Sequence, residues 1–319
     1  MTNNLSVGVD LGGTNLRASL VDVAQGKLLT EAKLKLVDYA PEAVARALVQ
    51  LVREVDPDSK RSGVGIGIAA MLRGWTGVVV NAPNLGWREA PFRALVEQGL
   101  GTDEPVELYN DLNAITLGEV RYGSAKGTQD ALCVYIGTGI GSGMVLGGRL
   151  LSGSTHLAGE LGHSKVVLYN GRPCGCGQQG CLEAYAAGNN IAKRAREELA
   201  TQKSLAVELA GGVEHVHAGF LDEAARKGDP YAVRLWDEVS DLAGLALGAA
   251  VTLVNPEKLI MGGGVWTGAP RLAQLVREKL LHAANAPSLV GFEIIDTSLG
   301  DGAGRLGAAA AISAGRGPA

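Results

Sequence analysis

Three of the chain's four cysteines fall within eight residues, Cys174, Cys176 and Cys181 of the stretch CGCGQQGCLE (174–183). Cys174 and Cys176 are too close in sequence for comfortable disulfide geometry with each other, and thioredoxin-like redox pairs use Cys-x-x-Cys. His163 lies eleven residues before Cys174 in GELGH, and three thiolates with one imidazole make a tetrahedral Cys3His zinc set. Glycines at 175, 177 and 180 let a backbone wrap tightly around an ion. The alternative is a group of free buried thiols. Cys133, mid-strand among apolar residues, reads as core packing.

Carboxylates stand at both ends of the 24-residue segment from Glu160 to Glu183. Held rigidly by a metal knot, such groups suit recognition of several hydroxyls on a sugar; otherwise they support the ligands or cap helices. Asp111 in YNDLNA (109–114) follows an apolar strand and opens a helix. It is either the helix N-cap or a carboxylate placed to accept a hydroxyl proton, and the residues leave both open.

Two glycine-rich loops offer phosphate contacts. In VDLGGTN (9–15), Gly12 and Gly13 let N–H groups approach phosphate oxygens, Thr14 adds a hydroxyl, and Asp10 could hold Mg2+. An ordinary hairpin turn is the alternative. IGTGIGSG (136–143) repeats the arrangement with Gly137, Thr138 and Gly139, and MGGGV (261–265) adds a third glycine cluster. Neither loop is a GxxxxGK[ST] phosphate loop or a Rossmann fingerprint, since a strand and not a helix follows.

The elements that must position these groups are read from apolar periodicity. LSVGVD (5–10) and LRASLVD (16–22) form a hairpin around the first loop, followed by a strand over 27–36. The spacing of apolar residues predicts an amphipathic helix over 41–55 with Pro41 at its start. Strands follow at 63–70 and 104–111, then a helix through NAITLGEVRYG. A second strand–turn–strand unit spans 130–151, about 125 residues after the first. Helices dominate 183–255; a strand at 258–265, a helix at 271–284, a strand at 292–298 and a small-residue helix at 302–314 complete the chain. This pattern is that of an α/β protein with an internal structural duplication and two lobes.

The 319 residues suffice for two lobes with cores of their own. Glycine, at 46 residues, is about twice its usual share of roughly 7%. The glycines cluster between apolar runs, which points to tight turns and not to disorder. A net charge of −4 without a Lys/Arg stripe lacks the footprint of nucleic-acid binding. The N-terminus has no export signature. The longest apolar stretch, 242–254, is shorter than the roughly 20 residues of a membrane span and reads as a buried helix. A soluble cytoplasmic protein without a membrane partner is expected.

DLGGTN, NDLNA, IGTGIGSGMVLGGRLLSGSTHLAGELGH, CGCGQQGCLE and MGGGV, in that order, resemble the ROK family of sugar kinases and repressors over essentially the whole chain. The resemblance implies a two-lobed actin-like ATPase (ribonuclease H-like) fold with a duplicated βββαβα core, ATP and sugar bound between the lobes, structural zinc and a homodimer. The expected small lobe covers 1–118 with the C-terminal helix 302–319, and the large lobe 119–301. The resemblance also makes Asp111 the general base. Asn84, Asn110, Glu160, His163 and Glu183 become sugar contacts, and His163, Cys174, Cys176 and Cys181 the zinc ligands. Asp10, Gly12, Gly13, Thr14, Asn15, Gly137, Thr138 and Gly139 would serve ATP with Mg2+, and Gly262, Gly263 and Gly264 would lie by the adenosine.

The set Glu160, His163 and Glu183 resembles that of the family's glucokinase branch, which implies phosphorylation of the 6-hydroxyl of glucose. Kinases of N-acetylmannosamine, N-acetylglucosamine or fructose, and a non-catalytic sugar-sensing module, are the alternatives. Repressors of the family carry a helix-turn-helix ahead of the first strand, for which a strand beginning at Leu5 leaves no room. Three features depart from the family pattern: Ala69-Ala70 stands where Pro-Gly is usual, the loop from His163 to Cys174 is one residue longer, and the 84–87 turn one shorter.

Overall fold

The computed structural model describes residues 4–313. The alternating run at the N-terminus forms β1 (Leu5–Leu11) and β2 (Asn15–Asp22), paired antiparallel with Asp10 opposite Arg17, and β3 (Lys27–Lys35) extends the meander. Helix α1 (Pro41–Val55) follows the predicted stripe, burying Val44, Leu48, Val52 and Val55. It leads to β4 (Val64–Ile68), parallel to β1. A small sheet of β5 (Met71–Leu72), β6 (Val79–Ala82) and β7 (Trp87–Ala90) comes next, then α2 (Phe92–Leu100). Neither that sheet nor α2 is foreseen in the sequence. β8 (Val106–Asn110), parallel to β4, runs directly into α3 (Asp111–Arg121). The resulting sheet order is β3-β2-β1-β4-β8.

The plan then repeats. β9 (Ala131–Ile136) and β10 (Ile140–Leu146) flank the second glycine loop, and β11 (Arg149–Leu150) pairs with the end of β10. Helices α4 (Glu183–Ala186), α5 (Gly188–Leu199), α6 (Leu205–Ala210), α7 (Ala218–Arg226) and α8 (Pro230–Val254) precede β12 (Lys258–Gly262). The strand expected over 258–265 therefore stops at Gly262. Gly263 adopts φ 96°, and α9 (Gly264–Gly268) begins at once. α10 (Pro270–Ala283), β13 (Glu293–Asp296) and α11 (Ala303–Ser313) complete the described chain. The order β11-β10-β9-β12-β13 matches the first sheet strand for strand, which is the expected duplication. The 242–254 run lies in α8, with Ala243, Leu247 and Val251 buried but Leu245 and Leu253 exposed, so only one face of it is core. Among the described residues no helix is long and apolar enough to cross a membrane.

The chain divides into two units, the first running to Ala131 and including Gly143–Ala158 and the segment from Thr297, the second comprising Leu132–Ser142 and Gly159–Asp296. The break expected at 118 falls inside α3, and 119–131, 143–158 and 297–301 go with the first unit. Glu119 explains part of this. Its buried carboxylate accepts from Ser298 N (2.9 Å), Leu299 N (3.0 Å) and Ser124 N (3.0 Å), fixing three loop amides in one place. The helix α11 groups with the first unit; residues 314–319 of the expected C-terminal helix lie outside the described residues.

α11 seats on the first sheet through absent side chains. A Cβ on Gly8 of β1 would overlap the Arg305 carbonyl oxygen, one on Gly65 of β4 the Ala308 oxygen, and one on Gly307 the Ala114 oxygen of α3. In an exposed helix Gly→Ala stabilises by about 1 kcal/mol. Here Gly307→Ala is expected to destabilise by about 2–3 kcal/mol, because backbone cannot yield to the added methyl. A lowered urea midpoint checks this; a raised midpoint would refute the packing.

Candidate active site and metal centre

In the second unit, the segment from His163 to Cys181 folds into a knot. Short antiparallel bridges join Lys165 to Cys181 and Pro173 to Gln179, and Cys174 N donates to Gln178 O at 2.8 Å. Gly177 (φ 86°) and Gly180 (φ 77°) supply the left-handed turns, and Gly180 lies so close to the Val167 carbonyl that no Cβ fits. Gly175, by contrast, meets no neighbour that would exclude a side chain. The knot gathers one donor atom each from His163, Cys174, Cys176 and Cys181, all within 4.8 Å of one another. Cys174 Sγ is 3.7 Å from His163 Nδ1, and Cys176 Sγ is 3.7 Å from Cys181 Sγ. Tetrahedral zinc with Zn–S of about 2.3 Å separates its sulfurs by about 3.7–3.8 Å. The donor set therefore fits zinc in both chemistry and spacing.

Burial pushes the Cys174 thiol up to about 12. Burial acts the same way on Cys176, but the Gln178 N–H and the neighbouring thiols and Lys165 bring that thiol below its ordinary value. Cys133 lies fully buried on β9, away from the set of four.

The two flanking carboxylates are anchored to one residue of β10, Ile140. Gly162 lets the Glu160–His163 turn lie against the Ile140 carbonyl, where a Cβ would overlap it. On the other side, Glu183 Oε2 accepts from Ile140 N at 2.9 Å while Oε1 lies 3.8 Å from Cys174 Sγ. His163 turns Nδ1 to the cysteines and Nε2 to Glu160 Oε2, 3.8 Å away. Partial burial raises the Glu160 carboxyl above its ordinary range; His163 pulls it down and Glu183 pushes it up. Glu160, His163 and Glu183 thus surround one end of the knot.

Glu183 also reaches the second glycine loop, since a Cβ on Gly139 would come within 2.8 Å of its Oε2. Gly137 O accepts from Gly188 N (2.8 Å) at the start of α5, and Gly263 passes so near Ile136 that a Cβ would sit 2.5 Å from its carbonyl oxygen. Gly137–Gly139 with an exposed Thr138, and Gly262–Gly264, are therefore neighbours in space.

In the first unit, Gly12 N donates to Asn15 O (3.0 Å) to close the first loop, and Thr14 is exposed. Gly13 backs onto Asn84, whose Cβ would lie 2.8 Å from a Cβ at Gly13. Half-buried Asp10 faces Arg17, with Nη1 3.9 Å from Asp10 Oδ2 and 3.2 Å from Asp301 Oδ2. Burial raises the Asp10 carboxyl, Arg17 and then Arg305 oppose this, and Asp301 adds to it. Sequence reasoning passed over Arg17, although the hairpin register places it opposite Asp10.

At the start of α3 the cap is Asn110, not Asp111. Asn110 Oδ1 accepts from Leu112 N (3.0 Å) and Asn113 N (3.4 Å), and its amide reaches Ala70 O at 3.4 Å, in the Ala69-Ala70 departure. Asp111 is the first helical residue, its Oδ1 accepting from Leu112 N at 2.9 Å. A carboxylate there sits where the helix dipole favours negative charge.

The sequence pattern of the ROK family matches residues 6–314. The chain belongs to the ROK family. It is 37% identical over 310 residues to a glucokinase of Thermotoga maritima, covering 96% of each chain. A ROK hexokinase from Thermus thermophilus superposes with a TM-score of 0.81 at 33% identity, over 96% of this chain and 97% of that one. A ROK family glucokinase from Streptomyces griseus, solved with glucose and AMPPNP, superposes with a TM-score of 0.76 at 35% identity, over 96% and 98%. The fold of this ROK protein is accordingly the actin-like ATPase fold with its duplicated core.

Proposed function

We propose that this ROK protein is an ATP-dependent hexose kinase that phosphorylates the 6-hydroxyl of glucose. The observation that carries the reading is at the start of α3, where Asn110 takes the cap and Asp111 is the first helical residue; to its carboxylate we assign the role of general base. Full-length likeness to glucokinases supports the reaction class and the substrate.

In this reading Asp111 takes the O6 proton as the O6–P bond forms and the bond from the γ-phosphorus to the bridging oxygen breaks, releasing ADP. N–H groups at Gly12–Thr14 and at Gly137–Gly139 receive the developing negative charge on phosphate. Asp10, at the end of β1 before the first loop, would hold Mg2+, which would offset phosphate charge when bound with ATP. Zinc, when bound by His163, Cys174, Cys176 and Cys181, supplies rigidity alone. Glu160, Glu183 and the Nε2 side of His163 then present fixed partners to sugar hydroxyls, with Asn84 and Asn110 as further contacts. Gly262–Gly264 would lie by the adenosine.

The test is ADP release from Mg-ATP with glucose, mannose, fructose, N-acetylglucosamine and N-acetylmannosamine, each at equal concentration. Glucose is expected to give the highest kcat/KM. Turnover with an acetamido sugar alone would overturn the substrate, with Ala69-Ala70 the first place to look. No turnover by folded, zinc-loaded protein would overturn the kinase reading.

A further inference from the structure

The three sulfurs of the knot each have an outer hydrogen-bond donor, and one donor differs from the others. Cys174 Sγ accepts from the Cys176 backbone N–H, and Cys176 Sγ from the Gln178 backbone N–H. Cys181 Sγ instead faces the ammonium of Lys165, with Nζ 3.3 Å away and also donating to Gln179 O at 2.5 Å. Cys181 is 0% exposed with Lys165 in place. The backbone bridge between Lys165 and Cys181 holds the two residues side by side across the knot. Three thiolates and a neutral imidazole around Zn2+ carry a net charge of about −1. Glu183, 3.8 Å from Cys174 Sγ, and Glu160, 3.8 Å from His163, add further negative charge beside it. A cation on the most buried sulfur offsets this excess where the dielectric is lowest.

We propose that Lys165 is a positioning residue of the metal centre, its ammonium orienting the Cys181 thiolate and slowing loss of the cation. The inference rests on the zinc reading of the Cys3His set, and on nothing in the sugar or nucleotide sites. Groups that contact ligands from outside commonly change metal affinity 10–100-fold when removed.

The experiment compares zinc-loaded wild type, Lys165→Met and Lys165→Arg. Metal content is measured first, then the rate of zinc transfer to an excess of a chromogenic chelator, and finally the thiolate-to-metal absorption of the Co2+-substituted proteins. Lys165→Met is expected to release zinc about 10-fold faster or more, with a shifted cobalt–thiolate band, and Lys165→Arg to return both toward wild type. Lys165 is exposed overall, so the fold tolerates either change, and a melting curve of each loaded protein verifies it. Equal release rates and an unshifted band in Lys165→Met would overturn the role of Lys165 while leaving the zinc centre intact. Wild type that takes up no stoichiometric zinc would overturn the centre itself, and the role of Lys165 with it.

Discussion

If Asp111 is the general base proposed above, Asp111→Asn is expected to lower kcat for glucose phosphorylation by about 10^3-fold or more, with glucose binding close to wild type. The size follows from the removal of a general base, worth about 10^2–10^4 in rate. Retained binding follows from local geometry. Asn keeps a side-chain oxygen for Leu112 N, which Asp111 Oδ1 meets at 2.9 Å, and the cap belongs to Asn110. The helix start therefore survives, and so does the position of the side chain. Single-turnover kinetics give the rate, and calorimetric titration with glucose gives the affinity. If the variant keeps a tenth or more of the wild-type rate, the proton goes elsewhere and Asp111 is not the base. If glucose binding and rate fall together, the carboxylate serves the ground state and not proton transfer.

The second large effect is expected at the knot. Cys181→Ser removes a fully buried member of the donor set and is expected to abolish stoichiometric zinc uptake, since a serine hydroxyl is a far poorer ligand for zinc than thiolate. The segment has few other means of holding its shape. A small apolar cluster of Cys174, Cys181, Ala184 and Tyr185, with Val166, Val167 and Leu242 against it, backs the knot, so metal binding would contribute directly to its folding. Glucose KM is expected to rise about 100-fold or more, because metal-dependent order holds Glu160, His163 and Glu183 together. Proteolysis should cut between 164 and 182 while α8 and α10 remain protected. Metal analysis, KM and peptide mapping on one preparation check all three. A Cys181→Ser protein with one zinc per chain and unchanged KM would refute the clamp.

How far the molecule was legible in its sequence depends on the length and regularity of each element. α1 and the β1–β2 hairpin could be read because fifteen residues of helical stripe and two alternating runs about a Gly-Gly turn repeat their signal many times over. β5, β6 and β7 have two, four and four residues, too few to show a period, and α2 has nine. Gly264 was read as strand because MGGGV continues an apolar run; the positive φ of Gly263 that turns strand into helix leaves no mark on composition. The His163–Cys181 donor set could be recognised since ligand chemistry restricts residue types. Neighbouring Asn110 and Asp111 could not be told apart as caps, because both side chains offer the same oxygen at adjacent positions. Lys165 was invisible for a different reason. Its contact with Cys181 depends on a bridge between backbones sixteen residues apart, which no spacing rule encodes.

The seating of α11 on Gly8 and Gly65 has a consequence for how the protein is made. Ribosomes deliver the chain in order, and the roughly 190 residues between the end of β8 and the start of α11 take about 10–40 s to translate. Throughout that interval the part of the first sheet around Gly8 and Gly65 lacks the helix that will seat on it, with α3 packed beside it at Gly67. The second unit, whose residues all precede Thr297, has a shorter wait of the same kind, since β9 meets its neighbour β12 only about 120 residues later. The packing on the first sheet is therefore completed only when nearly the whole chain has been made, and the seat of α11 is the surface a chaperone would guard until then.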